Sequence, residues 1–428
     1  MQVLRGPQGT LFGKNTTGGA LVFTTNRPTD ELEVLAGMRL GNYDRHDANF
    51  VLNVPLTDTL YTRFAGSTVN RDGYIKNVYD GDKYMDEDRQ NFNWQTRLLP
   101  TQDLTLDLNL LWAKTKQNTR PQKCVPVPGY RGWQAELFNI LAITPSTGRT
   151  MDDFCRDAAQ AGDDNTVISD LGGKYSAKNK GASLVADWDL NENISLKSIT
   201  GWRYTNAEQD DELDHTGIPF LHRTQTVHPH GKPRKTDQYS QEFQVTGNAV
   251  NDRLTYVAGV YLFREKTTGE TTVSFLGPFD PALADWLYLN TSSAKLDADN
   301  DAVAGFAQLE WQWTEHWRTT LGLRYTDESR ELDRTRYQIV PNSIDANGGE
   351  VTPLFNDSGL YDREPGFVYN PDFEFTVQDR TKEKTSGDDT TPMASNQYLL
   401  DQQEGKDAGT IYQTYSEGFL SGGLTEAP

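Results

Sequence analysis

The residues with the sharpest chemical suggestion are Gly13-Lys14, set in a run where Gly6, Gly9, Gly13, Gly18 and Gly19 fall within fourteen residues. A glycine-rich turn ending in Gly-Lys-Ser/Thr cradles phosphate, because backbone N–H groups, the lysine and a metal-binding hydroxyl converge on one phosphate chain. Here Asn15 follows the lysine and Gln8 stands where the earlier glycine is required, so the pattern fails twice. No strand precedes the glycines and no βαβ pattern follows them, which removes a dinucleotide fingerprint as well.

Metal chemistry has two candidate seats. His215, His222, His228 and His230 are four of the six histidines and lie within sixteen residues. Imidazole is a common transition-metal ligand, although this spacing fits no standard tetrahedral site. They are candidates for contact with a metal or a metal chelate, against the plainer reading of a surface loop with incidental histidines. Their neighbours are the acidic run Asp210 to Asp214, and such a concentration of carboxylates would repel a strongly anionic ligand. The second seat, Asp297-Ala298-Asp299-Asn300-Asp301, imitates the start of a calcium loop. It has Ala302 where glycine is needed and Gln308 where a bidentate glutamate is needed, so it is rejected. Cys124 and Cys155 are the two cysteines. In an oxidising compartment they are expected to pair, closing a loop of about thirty residues at a gain of roughly 3 kcal/mol; the alternative is two free thiols.

No nucleophile–base pattern accompanies the histidines, so no catalytic site, enzyme activity or cofactor is expected. Net charge is −20 and the pI is about 4.7, with no basic stripe, which argues against nucleic acid as a partner. No signal peptide opens the chain. That fits a soluble cytoplasmic protein, or a segment from inside a longer reading frame.

The elements that must position these residues are strands. Hydrophobic residues make up 36% of the 428 residues and mean hydropathy is −0.68, yet there are nineteen Tyr, eighteen Phe and nine Trp. No run approaches the roughly eighteen apolar residues of a spanning helix. From Glu31 onward the pattern has period two: Leu104, Leu106, Leu108, Leu110 and Trp112 alternate with Thr105, Asp107 and Asn109, and Phe92, Trp94 and Leu98 with Asn91, Asn93, Gln95 and Arg97. Short polar turns fall near Thr57-Asp58, Thr101–Asp103, Asn191–Asn193, Asn248–Asp252, Thr314–His316 and Gln402–Asp407. Long loops at 72–89, 117–179, 206–235, 267–299 and 329–386 separate them on the other side, where only Asn42–Arg45 is short. Short turns at one end and long loops at the other, with tryptophans such as Trp188, Trp311, Trp313 and Trp317 beside the short turns, is the pattern of an outer-membrane β-barrel.

Two stretches add a family resemblance. Leu4-Arg5-Gly6-Pro7-Gln8-Gly9-Thr10-Leu11-Phe12-Gly13, followed by Gly18-Gly19-Ala20 and Asn26-Arg27-Pro28, resembles the end of the plug domain of TonB-dependent outer-membrane receptors. Tyr415-Ser416-Glu417-Gly418-Phe419-Leu420-Ser421-Gly422-Gly423 resembles a mid-barrel motif of the same family. The resemblance implies an all-β fold: residues 1–28 as the C-terminal part of a plug, and 29–428 as the N-terminal part of a transmembrane antiparallel barrel. About thirteen strands can be counted, against the roughly twenty-two of a full family barrel. The first and thirteenth would run in the same direction and could not close the ladder, so the chain reads as truncated at both ends.

The implied function is TonB-dependent uptake of a ferric siderophore or similarly scarce nutrient across the bacterial outer membrane. TonB would act through a segment not present in this chain, and lipid and lipopolysaccharide would surround the barrel. Arg5, Gly6, Gly9, Gly13, Lys14, Gly18 and Gly19 are the expected gate residues: the glycines let the plug bend in a confined lumen, and Arg5 and Lys14 meet inner-wall carboxylates such as Glu242 or Glu310. The competing readings are a passive outer-membrane pore and a secreted β-rich carbohydrate-binding module.

Overall fold

The computed structural model describes residues 1–118, 121–126, 139, 143–163, 165–170, 172–218, 221–225, 232–275, 292–339, 375–400 and 409–422. The chain begins with β1 (Gln2–Arg5), α1 (Gly9–Phe12) and β2 (Gly19–Val22), in which β1 and β2 pair antiparallel. The barrel wall follows as β3 (Glu33–Gly41), β4 (Arg45–Thr57) and β5 (Leu60–Arg71). An outer-loop hairpin of β6 (Ile75–Asn77) and β7 (Lys83–Tyr84) precedes β8 (Glu87–Leu98) and β9 (Leu104–Asn118). The next loop contains α2 (Thr144–Thr147), α3 (Met151–Gln160) and β10 (Thr166–Val167). The wall resumes with β11 (Lys174–Asn191), β12 (Ile194–Glu212), the short β13 (Leu221–Thr224), β14 (Lys232–Ala249) and β15 (Leu254–Phe275). It continues through β16 (Ser292–Gln312), β17 (Trp317–Ile339), β18 (Phe375–Leu399) and β19 (Thr410–Ser416).

Fourteen strands make one sheet whose path runs from β3 to β19. Of these, β13 is a four-residue piece set between the outer ends of β12 and β15, and the other thirteen form an up-and-down meander. Among the described residues β3 pairs only with β4 and β19 only with β18.

Alternation decides what each face meets. On β17, Leu321, Leu323 and Tyr325 are 50–53% exposed while Arg324 and Thr326, between and beside them, are 5% and 4% exposed. On β16, Val303 and Leu309 are exposed while Ala302, Ala304 and Phe306 are buried. The exposed residues are large and apolar, which is stable only where hydrocarbon rather than water lies outside. Trp94 belongs to this outer face as well, stacked on Phe64 with centroids 5.9 Å apart, and is not the buried mid-strand tryptophan of a soluble sheet.

The strands are longer than the apolar alternation indicates. The strands β15 to β18 extend over 21 to 25 residues, running well into the stretches at 267–299 and 329–386 read as loops from sequence. Their outer halves are polar and are held by cross-strand ion pairs, such as Lys382–Glu331 at 2.6 Å and Arg380–Asp333 at 2.7 Å, and by the pair Lys295–Asp297 along β16 at 2.9 Å. A hydrophobic pattern marks only the band that meets lipid, while the backbone ladder continues above it.

Candidate functional site inside the barrel wall

The glycine-rich N-terminal segment lies against the inner face of β16, β17 and β18. Gln8 N–H donates to Thr16 O at 3.0 Å, which folds residues 8–16 into a compact loop, and Gly13 takes a positive φ of 74° that a side chain would strain. A Cβ at Gly13 would also stand 3.1 Å from the Arg324 guanidinium, and one at Gly9 would stand 2.7 Å from Glu417 O. Glycine is therefore needed at both places for the close approach to the wall.

Polar contacts hold the segment. Lys14 Nζ donates to Glu328 Oε2 at 3.1 Å and lies 5.2 Å from the Phe263 ring centroid. Thr10 Oγ1 donates to Thr391 O at 3.3 Å. Ser421 Oγ donates to Glu328 at 2.5 Å and accepts from Arg330 Nη2 at 2.5 Å. Asn15 N–H donates to Phe419 O at 3.0 Å, and Asn15 Oδ1 accepts from Ser421 N at 3.1 Å. Thus the two stretches quoted above from opposite ends of the chain touch each other, with Lys14, Glu328 and Ser421 at the junction.

Below this junction the segment leads to the first wall strand. Gln95 Nε2 donates to Thr25 Oγ1 at 2.8 Å, and Arg27 lies 4.0 Å from Asp107, which Arg97 grips through two hydrogen bonds of 2.7 Å. Fully buried Asn53 accepts from Thr29 N at 3.1 Å and donates to Thr29 O at 2.9 Å, fixing the connection.

The expected partners of the two basic residues differ from those found. Glu310 pairs with Arg318 at 3.2 Å, Glu242 accepts from Gln244, and Lys14 instead meets Glu328. Arg5 is exposed and makes no ion pair among the described residues. Gly6, Gly18 and Gly19 lie in the same segment, and a methyl group placed on Gly6 or Gly18 would meet nothing within 4 Å.

The outer loops form a second polar cluster. Parallel pairing joins β10 to β6, and Asn77, fully buried, donates to Ser169 O at 2.7 Å and accepts from Ser169 N at 3.0 Å. Buried His222 Nε2 lies 2.9 Å from Asp170 Oδ2. Asp214 accepts from Thr216 N at 3.1 Å and from Leu221 N at 2.8 Å. Burial raises the Asp170 carboxyl above its ordinary value, against the opposing effect of His222. Burial, reinforced by the Glu212 charge, raises Asp214 well above it, and burial pushes the Tyr84 phenol up to about 12. His215 Nδ1 is 3.7 Å from Glu212, whereas His228 and His230 lie outside the described residues. No group of three or more metal-ligating side chains occurs among the described residues. A disulfide joins Cys124 to Cys155 on α3. The helix starts at a capping box in which Thr150 and Asp153 bond each other's backbone N–H.

A meander with an apolar outer band, carrying a segment of its own chain bonded to its inner face, defines a transmembrane β-barrel. Residues 127–427 match the family model described as "TonB dependent receptor-like, beta-barrel", and the chain belongs to that family of bacterial outer-membrane receptors. It is 21% identical over 421 residues to the pesticin receptor of Yersinia pestis, covering 97% of this chain and 54% of that protein. It is 30% identical to the iron-regulated outer membrane virulence protein of Vibrio cholerae over 125 residues, 28% of this chain and 19% of that protein.

Among solved structures, the ferric yersiniabactin uptake receptor FyuA from Yersinia pestis has a TM-score of 0.68 at 16% identity, covering 100% of this chain and 53% of that one. The open form of the ferric-catecholate import receptor Fiu from E. coli K12 has a TM-score of 0.64 at 14% identity, covering 98% and 59%. At these identities the likeness is one of fold. The chain spans about half the length of the relatives it matches.

Proposed function

We propose that the protein works in TonB-dependent uptake of a ferric siderophore or similarly scarce chelated nutrient across the outer membrane. In this reading residues 1–28 act as the last part of a plug, and the wall from residue 29 onward acts as the barrel that the plug closes. The observation that carries it is the Lys14–Glu328–Ser421 junction. A segment held by hydrogen bonds and an ion pair can exchange those contacts for water after a short displacement, which suits a gate that TonB must unseat under force. A passive pore has no use for such a segment.

The relatives support the nutrient class, since FyuA and Fiu are named for import of ferric chelates. The test is growth under iron limitation with single ferric chelates as iron source, comparing the wild type, a deletion of this gene and a tonB deletion. Loss of growth on the same chelate in both deletions is expected. Growth that needs this gene but not tonB would favour the passive pore.

A further inference from the structure

Resting on that reading, we infer that the imported ligand is an anionic chelate, received on four inward-facing arginines, Arg223, Arg234, Arg334 and Arg336. They line a hollow of about 610 Å³ in the inner wall, with Tyr175 and Gln225 at its margin. Arg334 is six residues beyond Glu328 on β17, so the hollow lies about 20 Å further toward the long loops at ~3.3 Å per residue. A ligand arriving from outside reaches it before the gate.

Register places these side chains on one face. Residues paired directly across a ladder point the same way. Arg336 pairs with Ala294, which pairs with Thr271; Arg334 pairs with Leu296, which pairs with Gly269; and Arg234 pairs with Ala207. On β17 these arginines continue the even-numbered inner face of Arg324 and Glu328. Arg223 pairs with Val273 on β15 and with Asp211 on β12. Small residues at 207, 269, 271 and 294 leave the floor open, and the arginines stand around it. Among the described residues of the lining, Glu208 is the one carboxylate. In a chain of net charge −20, the four guanidinium groups meet two carboxylates, Glu208 in the lining and Asp211 paired to Arg223, so positive charge is in local excess.

The acidic run that suggested an anion-repelling mouth is engaged within its own loop. Asp210 Oδ1 accepts from Gln225 N at 2.9 Å, Asp211 binds Arg223, and Asp214 accepts backbone N–H groups while buried. The guanidinium fork matches planar oxyanions through paired charge-assisted hydrogen bonds, which selects carboxylate or catecholate faces over hydroxamate-type neutral or cationic chelates.

The test uses outer membranes from de-energised cells carrying alleles at the native locus, with radiolabelled ferric citrate, ferric tris-catecholate and the cationic chelate ferrioxamine B as probes. Saturable binding of at least one anionic probe is expected, and which one binds separates carboxylate from catecholate recognition. Ferrioxamine B is expected to bind roughly tenfold or more weakly, as is the anionic probe to the Arg334→Gln/Arg336→Gln double variant. Thr271→Glu, which puts a carboxylate in the floor without removing an arginine, is expected to weaken anion binding equally. Heat-modifiable gel mobility checks that each variant barrel is folded.

Binding of neither anionic probe, equal binding of the cationic one, or wild-type affinity in both variants would overturn the inference. If the double variant still supports wild-type tonB-dependent uptake of the anionic chelate, the inference fails while the uptake reading stands. Anion binding without any tonB-dependent uptake would do the opposite, removing the uptake reading and leaving the anion site in place.

Discussion

Lys14 Nζ and Glu328 Oε2 stand 3.1 Å apart across 314 positions of sequence, in a pair whose side chains are only 21% and 10% exposed. Glu328 simultaneously accepts from Ser421, so one wall carboxylate ties down both the glycine-rich segment and the stretch after β19. Exposed pairs contribute ~0–1 kcal/mol and breaking a buried pair costs ~3–5 kcal/mol. This partly buried pair falls between, and in the uptake function proposed above it would bias the plug toward its seated position without locking it.

Breaking that pair should loosen the gate. Lys14→Met and Glu328→Gln are each expected to raise susceptibility to large antibiotics several-fold in cells expressing the protein, and the double variant to add little to either single change, because the pair is lost once. Arg5→Ala, at an exposed residue with no ion pair among the described residues, should leave susceptibility unchanged. Equal leakage from Arg5→Ala and Lys14→Met would show that the pair has no special part.

Two glycines a few residues apart should respond oppositely. A side chain at Gly9 meets Glu417 O at 2.7 Å and Thr391 Cβ at 3.0 Å, whereas Gly18 has open space. Gly9→Val should displace the segment and give the same leakage, while Gly18→Ala should be silent. Wild-type antibiotic exclusion by Gly9→Val would contradict the close packing described.

The outer-loop cluster should be acid-stabilised. Asp170 and Asp214 are both raised above the ordinary 3.8. The stability they confer is therefore fully present below the unfolded value and lost as pH rises through the raised folded values. Tyr84, Glu212, His215 and His222 face the same cluster. Amide protection at 166–170 and 213–218, corrected for intrinsic exchange, should fall as pH increases above that range, and Asp214→Asn should flatten the dependence. A pH slope unchanged in Asp214→Asn would remove Asp214 from the account.

The disulfide should matter locally. It closes a separation of 31 residues, worth about 3.7 kcal/mol in the chain-entropy model. Reduction, or Cys124→Ser, is expected to accelerate tryptic cleavage at Arg149 and Arg156 on intact cells while the barrel keeps its heat-modifiable mobility. Unaltered cleavage rates would mean that α3 is held by its other contacts alone.

The sequence made the wall legible because lipid outside and polar lumen inside impose a strict period of two, and because short turns such as Thr57-Asp58 carry their own polar signature. It did not reveal the outer halves of β15 to β18, where both faces are polar and no alternation survives. Nor did it reveal which carboxylate Lys14 meets. Glu242, Glu310 and Glu328 all point inward, and the choice depends on strand stagger, which pairing registers set and composition does not. One signal was present: the even positions 322, 324, 326 and 328 continue a single face of β17 past Leu321, Leu323 and Tyr325. The arginine hollow stayed hidden because its four arginines come from three strands, β13, β14 and β17, brought together only by the barrel's curvature, under a strongly acidic total.

The most direct test of the central claim is accumulation of a radiolabelled ferric chelate by iron-starved cells, with and without a protonophore, in wild-type and gene-deleted strains. Gated, energised import predicts accumulation that requires both this gene and the proton gradient, with surface binding persisting when the gradient is collapsed. Accumulation that depends on the gene but continues at the same rate without the gradient would contradict it.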